Sequence, residues 1–216
     1  ESGFLQDTRA AIEAVLSGKS PPAPSFHTFR KTLVEGRLFA IVTARGHASE
    51  TLRKGVRLFI DLVLTPGERE TMLENLRGYR HCYDGLTTFG TDDEEIAHYL
   101  GLNRYHAVTS PTFKQWMADE DPAGDTASSE SRKQFAIRDF VEHVIRILQR
   151  TGQPLQRPVS VGFSDDDPAN VAAVESYIRT VLARHFPGVK FCVYDTSDPD
   201  SANGRKIVVS GQLDLF

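Results

Sequence analysis

Residues Leu38 to Val42, inside "RLFAIVTARG", are apolar at every position. A strand points alternate side chains to opposite faces, so a run apolar throughout needs cover on both sides. A strand in a parallel sheet, with helices packed on each face, has that cover. The neighbouring residues agree. "FHTFRKTLVEG" reads as a short helix closed by Gly36. "SETLRKGVRLFIDLVL" follows the run, with Leu52, Val56, Phe59 and Val63 on one helical face.

The same alternation returns in the last third. "ESRKQFAIRDFVEHVIRILQR" sets Ala136, Phe140, Val144 and Leu148 on one stripe, with Ile137, Val141 and Ile145 beside it. The strand "VSVGFS" follows, then the helix "PANVAAVESYIRTVLARHF", and two further strands in "VKFCVYD" and "KIVVSG". This order predicts an α/β fold of three layers around a mostly parallel sheet. Upstream, Phe4, Leu5, Thr8, Ile12, Val15 and Leu16 have helical spacing, and "SGKSPPAPS" breaks that helix. "TPGERETMLENLRGY" opens with a Thr-Pro helix start. Residues 80 to 104 read as irregular apart from a short helix at "DDEEIAHYLG". "RYHAVTSPTF" reads as a short strand entering a loop, and "WMADEDPAGDTASSES" as acidic loop. The expected division is a core of residues 1–65 and 104–216, with residues 66–103 as a small cap or insertion.

A chain of 216 residues suits one sizeable core with an insertion better than two full domains. A net charge of −4 offers no basic footprint for nucleic acid, and no apolar stretch is long enough to span a membrane. Cys82 and Cys192 are far apart and lack metal-ligand spacing, so two buried thiols in a reduced, cytoplasmic protein are expected. Nothing in the composition addresses oligomeric state.

Ligands of open parallel sheets bind beyond the carboxyl ends of the strands. Thr43, Ala44, Arg45 and Gly46 leave the first strand there, and Asp165, Asp166 and Asp167 leave the strand 159–163. Three adjacent carboxylates repel one another. Asp167 with Pro168 reads as a helix start, which explains one acid of the three. A helix N-terminus stabilises each nearby acid by only ~0.3–1 kcal/mol. A hard cation offsets the repulsion better, and magnesium commonly takes one or two carboxylates plus phosphate and water. Capping alone competes with that reading. Thr43 is either β-branched filler or a hydroxyl for a bound phosphate, and Arg45 either a solvated loop residue or a fork for an anion. Lys133 near a helix start opposes the macrodipole, a local rule broken at a functional edge or else a solvated lysine.

Taken in order, a strand ending in "VTARG", a lysine opening a helix and a strand ending in "GFSDDD" resemble motifs two, three and four of the haloacid dehalogenase-like (HAD) superfamily. The likeness covers residues 37–195. It implies a Rossmann-like fold in which Thr43, with Ala44 and Arg45, binds the phosphoryl group. Lys133, with Arg132 as its alternative, steadies the nucleophile and phosphate, and Asp165 and Asp166 hold Mg2+. The implied activity is magnesium-dependent hydrolysis of a small phosphorylated substrate through a phospho-aspartate, splitting one hard step into two. His81, His98 and His106 are exposed candidates in the substrate-selecting region 66–128.

The first motif of that superfamily, a strand ending in Asp-x-Asp, has no match before residue 37. The expectation is that this strand lies directly upstream of Glu1. A HAD-like domain without catalysis, serving as a binding or scaffolding module, is the competing reading. Another doubly wound or nucleotide-binding fold is a third, although neither the dinucleotide glycine fingerprint nor the P-loop pattern occurs.

Overall fold

Helices α1 (Ser2–Leu16) and α2 (Pro24–Val34) stand on either side of the proline-rich break, as paired prolines require. The computed structural model describes residues 2–83, 88–120, 128–150, 159–201 and 204–209. The chain divides into two compact units, Glu1–Pro21 with Arg30–Gly152, and Pro22–Phe29 with Gln153–Phe216.

In the first unit, β1 (Ala40–Thr43) and β2 (Arg104–Ala107) pair in parallel, from Ala40 opposite Arg104 to Thr43 opposite Ala107. Between them come α3 (Ser49–Val63), α4 (Pro66–Gly78), the short α5 (Arg80–Tyr83) and α6 (Asp92–Leu102). After β2 come α7 (Pro111–Glu120) and the long α8 (Ser129–Arg150). α3 packs on β2, α8 on β1, and α1 on α3. The apolar stripes explain this: Leu52, Val56, Ile60 and Val63 of α3 are buried, as are Ala136, Ile137, Phe140, Val141, Val144 and Ile147 of α8.

Local chemistry sets the element ends. Gly36 closes α2 with φ of 62°, and the Arg37 amide reaches back to the Thr32 carbonyl. A side chain there strains the backbone and meets Leu76 Cδ2 at 3.1 Å. Thr65 and Thr91 each form a reciprocal capping box, with Glu68 and Glu94, before α4 and α6. The entrance of β1 is fastened by residues 66–103. The Tyr83 hydroxyl donates to the Gly36 carbonyl, the Tyr99 hydroxyl to that of Arg37, and the Phe39 amide donates to Asn103 Oδ1.

In the second unit, β3 (Ser160–Asp165) pairs in parallel with β4 (Lys190–Asp195), and β4 pairs antiparallel with β5 (Arg205–Val209). The crossover between β3 and β4 is α9 (Pro168–Tyr177), a π-helical turn at Ile178–Leu182, and α10 (Ala183–His185). Val161, Val171, Val174, Ile178, Leu182, Phe191 and Val193 are among the unit's buried apolar residues.

The α/β class and the parallel pairings match expectation, and several details differ. The described strands form two sheets, β1–β2 and β3–β4–β5, in place of one. β1 is half-buried at all four positions, because among the described residues it has a strand on one side only. Leu38 and Phe39 precede the strand. The loop expected after "RYHAV" is instead α7, since Pro111 can take the first helical position and Ser110 Oγ accepts from the Phe113 amide. Only residues 121–127 of the expected acidic loop lie outside the described residues. Cys82 is half-buried rather than buried; Cys192 is buried, and both are free. No helix among the described residues is long and apolar enough to cross a membrane.

Candidate functional site

Thr43 ends β1, and its hydroxyl oxygen accepts from the Arg45 amide at 3.1 Å. The next turn is tied to the exit of β2. The Val108 amide donates to the Thr43 carbonyl at 2.9 Å, and the Thr109 hydroxyl to the Ala44 carbonyl at 2.6 Å. Ala44, Arg45 and Gly46 are exposed, and Thr43 is half-buried. Neither Arg45 nor Lys133 has an ion-pair partner among the described residues.

α8 begins at Ser129, so Lys133 stands at the start of its second turn rather than at its opening. Ser128 caps the helix through a hydrogen bond from the Ser131 amide. Ala136, one turn beyond Lys133, is buried with Val108, Phe113 and Met117, and Val42, Phe135 and Trp116 pack on that group. The N-terminal half of α8 therefore lies beside the carboxyl ends of β1 and β2. The unit presents Thr43, Arg45 and half-buried Lys133 at that end, without a balancing carboxylate on either cation among the described residues.

A buried polar group sits just behind. His106 of β2 shares a hydrogen bond of 3.0 Å with Asp139 of α8, and Arg104 and Arg146 approach the same carboxylate at 3.3 and 3.7 Å. Burial pushes the Asp139 carboxyl up. The His106 hydrogen bond and the charge of Arg104 outweigh it, holding Asp139 below the usual carboxylate value. Burial lowers His143, whose Nε2 lies 2.6 Å from the Leu102 carbonyl. The His106 ring stacks on Trp116, with centroids 5.4 Å apart and planes 11° from parallel.

The histidines expected to be exposed divide three ways. His81 is exposed, His98 is half-buried against Phe89, and His106 is buried. The reason is position: His106 lies inside β2, under α8, where a polar ring survives only with a partner such as Asp139.

The acid cluster belongs to the second unit. Asp167 Oδ1 accepts from the Ala169 amide at 2.8 Å and Pro168 takes the first helical position, so Asp167 is a helix cap. Asp165 closes β3 opposite Asp195. Its Oδ1 accepts from the Asp167 amide at 2.9 Å and from Asn170 Nδ2 at 3.1 Å. These two donors already offset part of the repulsion that the sequence raises. Asp195 is engaged by Ser197 and by Arg205 at 3.2 Å. Hydrogen bonds from the Ser197 hydroxyl and amide hold its carboxyl below the usual range. Asp166 is exposed.

No group of three or more His, Cys, Asp or Glu side chains gathers as a metal site among the described residues. Asp165 keeps Oδ2 outside its local turn, and Asp166 is open to solvent. Carboxylate oxygens are the donor type magnesium takes, usually one or two of them together with water and phosphate.

Sequence order thus grouped residues that fall in different units: Thr43, Ala44, Arg45 and Lys133 in the first, Asp165 and Asp166 in the second. Thr109 and the His106–Asp139 pair escaped that reading. "VTSP" after a short strand was the available signal for Thr109. His106 and Asp139 are 33 residues apart, and no spacing rule links them. No family model, curated protein or solved structure matches the chain.

Proposed function

We propose that the chain acts in magnesium-dependent hydrolysis of a small phosphate ester, as a three-layered HAD-like phosphohydrolase. One observation carries the reading: the carboxyl ends of parallel β1 and β2, with the start of α8, offer a hydroxyl and two cations that no carboxylate among the described residues balances. A doubly charged phosphoryl group fits such a set, since Thr43 can donate a hydrogen bond, Arg45 can bind bidentately and Lys133 supplies a point charge. Asp165 and Asp166 are the proposed magnesium ligands, carboxylate oxygens of the kind that ion takes. The attacking carboxylate is not assigned to any of the 216 residues. The two free cysteines accord with a reducing, cytoplasmic setting.

Calorimetric titration of the full chain with inorganic phosphate tests the reading without needing the nucleophile. Lys133→Met is expected to weaken binding about ten-fold or more, the loss of one charge-assisted contact of ~1.5–3 kcal/mol. No phosphate binding by the unaltered chain overturns the proposal. Binding without turnover of p-nitrophenyl phosphate by the intact protein, with magnesium present, favours a non-catalytic HAD-like binding module instead.

A further inference from the structure

We infer that Thr109 is a positioning residue that biases the Thr43 hydroxyl toward donating a hydrogen bond to an acceptor-only anion, an inference that rests on the phosphate site proposed above. The Thr109 hydroxyl holds the Ala44 carbonyl at 2.6 Å. In a trans peptide the carbonyl and the following N–H point in opposite directions in one plane. Pinning the Ala44 oxygen toward Thr109 therefore turns the Arg45 N–H the other way, and it donates to Thr43 Oγ1 at 3.1 Å.

A threonine hydroxyl has one proton and two lone pairs. With a lone pair engaged by the Arg45 amide, its remaining capacity includes a single O–H. No acceptor for that O–H exists among the described residues. Accepting one hydrogen bond also polarises the hydroxyl toward donating another. The fit is to a deprotonated phosphoryl oxygen, which only accepts. A ligand group that only donates gains less there.

The loop is held at more than one point. The Val108 amide fixes the Thr43 carbonyl, and a side-chain carbon at Gly46 would stand 3.7 Å from Thr109 Oγ1, so the Thr109 side chain lies along the whole turn. Thr109 itself needs no contact with the anion.

Two measurements on the full chain test this. Amide hydrogen exchange at Arg45 is expected to quicken in Thr109→Val and to keep its protection in Thr109→Ser, which restores the hydroxyl. Titration with inorganic phosphate is expected to show about ten-fold weaker binding for Thr109→Val. Thr109→Ser should stay within about two-fold of the unaltered chain, and Thr43→Val with Thr109→Val should be no weaker than Thr43→Val alone. Unchanged Arg45 exchange in Thr109→Val overturns the relay whatever phosphate does, and so do additive losses in the double variant. An unaltered chain that binds no phosphate overturns the proposed function and, with it, the anion half of this inference. Arg45 exchange then decides the Thr109 positioning by itself.

Discussion

At the residue scale, Asp139 shows how one side chain becomes indispensable. Its side chain is 11% exposed and answers to Arg104, His106 and Arg146 together. Because its folded pKa is depressed, the stability it contributes is present above the unfolded value of 3.8 and is lost as pH falls through the folded value. Asp139→Asn leaves half-buried Arg104 and the buried His106 ring without an ionised partner and is expected to cost about 3 kcal/mol at pH 7, the low end for breaking a buried pair. Urea midpoints at pH 7 and at pH 3 check it, and the gap between variant and parent should narrow at the lower pH. An undiminished gap at pH 3 points to packing, not charge. None of this was legible beforehand: His106 looked like one of three equivalent polar histidines until β2 and α8 enclosed it. Asp167 was legible, since an acid before Pro168 and a helical run states its role locally.

At the element scale, helix starts and stops were the most readable features. Gly36, the Thr65–Glu68 box and Asp167–Pro168 act within a turn of their own sequence, so local chemistry suffices to place them. The hairpin of the second unit depends on contact instead. Gly204 has φ of 69°, and a Cβ there would lie 2.5 Å from the Asp195 carbonyl oxygen and 2.8 Å from Thr196 Cγ2. Gly204→Ala therefore faces both backbone strain and a clash with backbone, not with the tip of a flexible side chain. An expected loss of about 1–3 kcal/mol, read from thermal or urea unfolding, follows from the strained conformation. Wild-type stability in this variant refutes the assigned geometry of the β4–β5 turn. The helix α7 was missed because Ser110 and Pro111 read equally well as a turn and as a helix start.

At the scale of the whole molecule, the described strands divide into a parallel pair and a mixed sheet of three, and the ordered motifs divide with them. The metal assignment concerns Asp165 and Asp166 of the second unit. Replacing both with Asn is expected to abolish magnesium-dependent cleavage of p-nitrophenyl phosphate by the intact protein, while leaving the unfolding free energy within about 1 kcal/mol. Cleavage that survives with its magnesium dependence intact removes both residues from the metal site. Read alone, the sequence determined most of the helix and strand segments, α7 excepted, where most of those helices begin and end, and which residues leave the carboxyl ends of β1 and β3. Each of these follows from periodicity or from chemistry within a few residues. Tertiary structure alone decided that the described strands form two sheets, that His106 is buried on Asp139, and that Thr109 reaches Ala44 from 65 positions away. Those outcomes rest on pairing between distant segments, which hydrophobic pattern permits but does not specify.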